Sequence, residues 1–313
     1  MKVLVTGGCG FVGSHLIDYL VKKKYRLIVV DNCKSGDYSR IKKYVKEGKV
    51  KFYRIDIRNL VNLMKVPKVD VVIHLAAVAS VIESIKNPVY VNDVNVNGTL
   101  NVLEFCKRKK IKKIIFTSSA AIFGEYEEKI YENLPAIPTT IYGSSKLVGE
   151  QYCRVYSKLY GMKIIVFRPF NIYGLRQNPS YAGVISRFLE KLERNKRPII
   201  FGDGKQTRDF IHVKDLVIFF ELGIRKKMMD DFAVFNLATG KSSSINDLAK
   251  IMTSLSKKKS IKPIHKAAIP VVVIKSSASI KKLKSKFRIF PKITLRSGLS
   301  ELIAEYSSKG RKD

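Results

Sequence analysis

Short apolar, β-branched runs alternate with longer stretches whose apolar residues recur at helical spacing through the first half of the chain. Lys2–Thr6, Arg26–Asp31, Val50–Asp56, Asp70–Leu75, Lys112–Ser118 and Lys163–Arg168 read as strands, and Phe11–Lys23, Asn87–Lys109 and Tyr142–Tyr160 as helices. This order predicts βαβ units, and right-handed crossovers wind them into an α/β fold with a doubly wound parallel sheet. After Pro169 the texture changes. Residues 174–182 are rich in turn formers, and Arg197–Gly204 joins a short apolar run to a Gly-Asp-Gly turn. A first domain over residues 1–170 and a smaller α/β lobe over 171–313 are expected. Ala233–Ala238 reads as a further strand, so the chain is expected to rejoin the sheet by about residues 210–238.

Composition narrows the class. At 313 residues and 46% hydrophobic content the chain can bury a substantial core. Met1 runs directly into the first strand pattern without a basic-then-apolar leader, and no apolar run approaches the ~18 residues of a membrane span. Cys9, Cys33, Cys106 and Cys153 stand far apart, form no CxxC pair and lack histidines at ligand spacing, so reduced thiols, no metal and a cytoplasmic protein are expected. The 59 Lys+Arg against 26 Asp+Glu give a formal charge of +33, which suits an anionic partner. Lysines cluster at 22–24, 107–113, 257–259 and 281–286 rather than in one groove. Dispersed clusters read as solvated faces, so no dedicated nucleic-acid site is expected; weak association with an acidic membrane surface is compatible with them.

The first strand ends in Thr6-Gly7-Gly8-Cys9-Gly10-Phe11-Val12-Gly13. A glycine triplet alone can be only a tight turn. Between a strand and a helix, however, Gly7 and Gly10 let the backbone approach a pyrophosphate favoured by the helix N-terminus, and Gly13 lets that helix pack on the sheet. Asp31 ends the second strand, where a carboxylate accepts from an adenosine ribose and repels a 2′-phosphate, favouring NAD over NADP. Asp56 and Ile57 could hold an adenine edge, and the small residues of Leu75-Ala76-Ala77 permit close approach.

Tyr142 and Lys146 stand four apart, on one face of a helix. A phenol with its ordinary pKa of ~10 is a poor base at neutral pH, and a neighbouring ammonium together with a cationic nicotinamide is expected to lower it. This spacing is usually only a surface pair. Thr117-Ser118-Ser119, ending the fifth strand, strengthens the catalytic reading, because a hydroxyl there could share the substrate proton.

The successive segments Thr6–Leu16, His74–Ala77, Ser118–Gly124, Tyr142–Glu150, Arg168–Gly174 and Gly202–Asp215 together resemble the extended short-chain dehydrogenase/reductases of the NAD-dependent epimerase/dehydratase family. Within it the chain is most similar to UDP-glucose (UDP-galactose) 4-epimerases. The resemblance runs to about residue 255. It implies a Rossmann domain, a C-terminal substrate-binding lobe, NAD, a nucleotide-sugar substrate and a homodimer. It further implies Ser119, Tyr142 and Lys146 as catalytic residues, with Tyr142, Lys146, Phe11, Val12, Asn32 and Phe170 among the cofactor contacts. Ser84, Ser119, Tyr142, Asn171 and Arg208 are implied as substrate contacts.

Two departures matter. The segment in which the family carries a second phosphate-binding arginine reads His265-Lys266-Ala267-Ala268-Ile269-Pro270-Val271, with Lys266 or Lys275 as substitutes. The acidic pair that related 4,6-dehydratases place after the catalytic hydroxyl is Ala120-Ala121, which cannot transfer protons. Epimerisation is therefore preferred over dehydration or net reduction. A binding protein for RNA or another polyanion is the reading from a different class, and the intact Ser119, Tyr142 and Lys146 argue against it.

Overall fold

The computed structural model describes all residues except 178–182, 229, 259, 269–274 and 310–313. Its strands are β1 (Lys2–Thr6), β2 (Arg26–Asp31), β3 (Val50–Arg54), β4 (Val71–His74), β5 (Lys113–Thr117), β6 (Lys163–Pro169), β7 (Asn171–Tyr173), β8 (Ile199–Phe201), β9 (Thr207–His212), β10 (Phe232–Leu237), β11 (Ser242–Ser244) and β12 (Ile264–Lys266).

Seven of them form one sheet in the order β10-β6-β5-β4-β1-β2-β3. Registers such as Val3↔Leu27, Val3↔Val71 and Ile114↔Ile164 make its inner pairs parallel. The Ile164 amide donates to Asp231 O, and β10 runs alongside β6 as the return strand expected from Ala233–Ala238. The strands are apolar on both faces because helices cover both faces of a parallel sheet, and β1 is buried throughout Val3–Thr6. One face of the core gathers Leu4, Val30, Val72, Phe105, Phe116 and Val166. The chain divides into a first compact unit of residues 1–124, 135–169 and 217–235 and a second of 125–134, 170–216 and 236–313.

The stretch Asn87–Lys109, expected to be one helix, is helical with an interruption. Pro88–Asn92 and Gly98–Arg108 are α-helical, and Asp93–Asn97 between them is a π turn. That wider turn carries Asn95, which is 1% exposed.

The second unit holds a three-stranded sheet, β11-β9-β7, and the pair β12-β8. Its core joins Tyr173, Phe188, Leu189, Phe210, Leu248, Met252, Leu299 and Leu302, contributed by β7, β9 and the helices Val184–Glu193, Ile245–Leu255 and Leu295–Lys309. Among the described residues no helix is long and apolar enough to cross a membrane.

Candidate active site

The first five strands of the large sheet end on one edge, and the candidate residues of the first unit follow those ends. After β1 the chain turns at Gly7, whose φ of +73° is open to glycine, and the Gly7 amide donates to Val30 O at 2.8 Å. A Cβ at Gly7 would stand 2.7 Å from Ala76 N, and one at Gly13 only 2.1 Å from Gly7 O. Both glycines are therefore required by close backbone packing. The helix Phe11–Lys22 begins at Gly10 with no side-chain cap and no acidic residue in its first turn. Its uncapped amide end suits an anionic group such as a pyrophosphate.

Asp31 lies beside this loop and is 8% exposed. Its Oδ2 accepts from Cys9 N at 2.9 Å and its Oδ1 from Cys33 N at 2.8 Å. Burial raises its pKa, opposed by those two amides. Each oxygen keeps a second lone pair for a ribose hydroxyl. Asn32 donates to Asp56 Oδ2 at 2.9 Å, and Arg58 bonds both Asp56 and Asp93. Burial favours the neutral Asp56 acid, yet the Arg58 and Asn32 hydrogen bonds outweigh it and bring the pKa down to about 2. Ile57 packs on Gly98, where a Cβ would meet its side chain at 2.6 Å. Asp56 and Ile57 follow β3, which ends two residues earlier than the pattern predicts. The glycine cradle, the free helix end and the buried carboxylate fit an NAD adenosine diphosphate.

Ser119 follows β5 and caps the short turn Ala120–Ile122, its Oγ accepting from Ala121 N at 3.1 Å. The same hydroxyl is hydrogen-bonded to the Tyr142 phenol, so the two groups separated in sequence share one proton network. Tyr142 opens the helix Ile141–Tyr160, capped by Thr140. Gly143 lets this helix start against the Ser119 turn, because a Cβ there would lie 2.3 Å from Ala121 O.

The protein groups around Tyr142 raise its pKa. Burial pushes the phenol up, and the Ser119 hydrogen bond opposes it. Lys146 is itself 4% exposed, with Nζ 4.5 Å from the centre of the Phe116 ring. Burial lowers its pKa to about 8, partly offset by Cys153 and Glu150.

Further residues stand behind this site, of which Asn95 and Thr99 carry no obvious sequence signal. Asn95 Oδ1 accepts from Val78 N at 2.8 Å, and its Nδ2 donates to Ser145 Oγ, which in turn donates to Tyr142 O at 2.8 Å. Asn95 thus joins the loop after β4 to the first turn of the Tyr142 helix. His74 is held between Thr6 Oγ1 at 2.7 Å and Thr99 Oγ1 at 3.0 Å. Burial, with help from the Lys146 charge, lowers its pKa to about 3, so it is neutral. Glu150 and Arg168 form a buried pair at 2.7 Å. The hydroxyls of Thr117 and Ser118 are buried and have no hydrogen-bond partner among the described residues.

Ser84, expected among the substrate contacts, is fully buried; its Oγ donates to Val81 O at 2.7 Å and accepts from Tyr142 N at 3.2 Å. Both bonds position the helix rather than face outward. Cys9 and Cys33, read from their spacing as isolated thiols, are neighbours: their sulfurs and an Asp31 oxygen lie within 4.8 Å of one another.

In the second unit Phe170 is 5% exposed and Asn171 Nδ2 donates to Asp209 O at 3.1 Å. Arg208 Nη1 donates to Thr207 O at 2.8 Å, and among the described residues no carboxylate pairs with this guanidinium. Its burial lowers its pKa, the signature of a cation held away from water. Asp209 is locked by Thr239 and Gly240 amides at 2.9 and 2.8 Å. Of the segment 265–271, Lys266 lies on β12 and is exposed; residues 269–271 fall outside the described set.

Known proteins with this arrangement are numerous. A candidate UDP-glucose 4-epimerase of Methanocaldococcus jannaschii is 42% identical over 80% of this chain and 81% of its own. The structure of Thermotoga maritima UDP-glucose 4-epimerase with UDP-glucose superposes with a TM-score of 0.92 at 32% identity, over 99% of both chains. That of a UDP-N-acetylglucosamine 4-epimerase from Methanobrevibacter ruminantium, in complex with UDP-N-acetylmuramic acid, gives 0.92 at 32% identity over 98% of both. The profile of the NAD dependent epimerase/dehydratase family matches residues 3–238, which contain the glycine cradle, Asp31, Ser119, Tyr142, Lys146 and Arg208. With sequence profile, sheet order and site geometry in agreement, the chain belongs to the NAD dependent epimerase/dehydratase family.

Proposed function

We propose that this chain is an NAD-dependent 4-epimerase of a nucleotide-diphosphate sugar, acting on UDP-glucose and UDP-galactose or on their N-acetyl or uronate forms. The observation that carries the reading is the Ser119–Tyr142 hydrogen bond, with Lys146 one turn along the helix and alanines at 120 and 121. Bound NAD would supply the acceptor, and then the donor, for the two electrons of the sugar C4–H bond. Gly7, Gly10, Phe11, Val12, Gly13, Asp31, Asn32, Asp56, Ile57, Leu75, Ala76, Ala77, Lys146 and Phe170 are the proposed cofactor contacts.

Tyr142 Oη takes the proton of the C4 hydroxyl and later returns it, while Ser119 holds the same oxygen. Burial keeps the phenol protonated, and a positive charge brought near it would make the phenolate accessible. Lys146 adds such a charge on the same helix face. Returning the C4 hydrogen to the opposite face restores the alcohol with inverted configuration and no net redox change. Ala120 and Ala121 cannot protonate a leaving oxygen, so the keto-sugar is not diverted to dehydration.

Asn171 and Arg208 are proposed for the diphosphate, Arg208 because a half-buried guanidinium with no carboxylate partner among the described residues suits phosphate oxygens. The dispersed lysines would raise the encounter rate with that anion, an effect that added salt would screen. A homodimer is proposed from the apolar stripe Ile141, Val148, Val155 and Leu159, 39–64% exposed on one helix. To test the activity, purified protein is incubated with UDP-glucose, UDP-galactose and their N-acetyl and uronate forms, and products are read by NMR. Epimer formation without added reductant is expected. No epimer from any nucleotide sugar, or stoichiometric release of NADH, overturns the reading.

A further inference from the structure

We propose that Cys9, Cys33 and Asp31 form a binding site for a thiophilic divalent cation of the Zn2+ class, at the mouth of the glycine cradle. Cys9 is fully buried and Cys33 half-buried, and their thiols are hydrogen-bonded to each other. One oxygen of Asp31 joins the two sulfurs within 4.8 Å. Tetrahedral zinc takes bonds of about 2.3 Å to sulfur and about 2.0–2.2 Å to oxygen, which sets its ligands about 3.4–3.8 Å apart. The cluster therefore needs only small side-chain rotations.

The backbone already holds these three residues together. Asp31 accepts from the amides of both cysteines, and Cys33 adopts a left-handed φ of +58° that turns the chain back toward the cradle. Gly36 seats this turn on Cys9, where a Cβ would come within 2.9 Å of the Cys9 Cβ. The electrostatics favour a cation. The Asp31 and Asp37 carboxylates both set a negative field at the Cys9 and Cys33 sulfurs. Arg54 is the cation acting on Asp31 and Cys33. A divalent ion would neutralise the two thiolates and the carboxylate together. Binding replaces two S–H bonds by two metal–sulfur bonds and releases two protons to solvent, leaving a fourth position for water.

Asp31 is also the proposed ribose contact, so cation and NAD would compete for it. That competition rests on the proposed cofactor reading; the cation site itself does not.

The full chain is stripped of NAD, kept under a non-thiol phosphine reductant and titrated with Zn2+ and with Co2+. One Zn2+ per chain with release of two protons is expected, along with thiolate-to-Co2+ charge-transfer absorption that weakens in Cys9→Ser and in Cys33→Ser. The double variant should bind at least 100-fold more weakly, whereas Cys106→Ala, in the core, should bind as the parent does. Equal affinity in parent and double variant overturns the site. A Cys9–Cys33 disulfide formed in air, without thiol-dependent Zn2+ binding under reductant, also overturns it. NAD content of the protein as purified is measured separately: protein that binds Zn2+ through the thiols yet never carries NAD retains the cation site and loses the cofactor reading.

Discussion

The ammonium of Lys146 stands 4.5 Å from the centre of the Phe116 ring, buried, with an aromatic face rather than a carboxylate as its close neighbour. Its pKa of about 8 is the consequence. The folded value lies below the unfolded one, so between pH 8 and ~10.4 the unfolded chain holds more protons. The group's unfavourable contribution to stability is full below pH 8 and fades across that window. Lys146→Met is therefore expected to raise the thermal midpoint of NAD-free protein at pH 7, by an effect of order 3 kcal/mol, and to lose that advantage near pH 10. NAD retention should fall in the same variant. Calorimetry at both pH values, with cofactor content by absorbance, checks this; an unchanged or lower midpoint at pH 7 refutes it.

Tyr142→Phe removes the phenol oxygen and keeps the ring. Positioned acid–base groups typically contribute ~100- to 10,000-fold, so turnover should drop at least about 100-fold with little change in thermal midpoint. Near-parental epimerisation by this variant would show that another group moves the proton.

Among the described residues Arg208 has no carboxylate partner, so Arg208→Ala should act on ligand rather than on fold. A charge-assisted hydrogen bond is worth about 1.5–3 kcal/mol, which corresponds to roughly 10- to 100-fold weaker UDP binding by titration calorimetry. Unaltered UDP affinity would remove Arg208 from the diphosphate site.

Glu150 and Arg168 bury opposite charges at 4% and 7% side-chain exposure. Glu150→Ala removes the carboxylate partner of the buried guanidinium and should cost about 3–5 kcal/mol, whereas Glu150→Leu with Arg168→Met should recover much of that loss. Denaturant titration of the three proteins distinguishes them. Equal loss in both variants would mean that packing, not charge, is what the pair supplies.

If the stripe on the Tyr142 helix is an interface, Val155→Glu should split the dimer. Light scattering should then fall from the mass of two 35.5 kDa chains to that of one. A parent protein that is already monomeric rejects the proposed homodimer.

Period and punctuation determined much of this protein before any contact was known. β-branched runs broken by glycine located β1, β2, β4, β5 and β6 to within a residue or so, because a parallel sheet buried on both faces admits little else. The glycine spacing, Asp31 and the Tyr142–Lys146 pair were legible because each depends on local geometry: one turn, one strand end, one helical face. What depended on distance through space was not legible. The π turn that points Asn95 at Ser145 and the meeting of Cys9 with Cys33 each join segments about 20 to 50 residues apart, and the direct bond from Ser119 to Tyr142, though both were expected at one substrate oxygen, spans a similar distance. The protonation of Tyr142 belonged to that second class too, since desolvation is a property of the packed interior and not of the side chains adjacent in sequence.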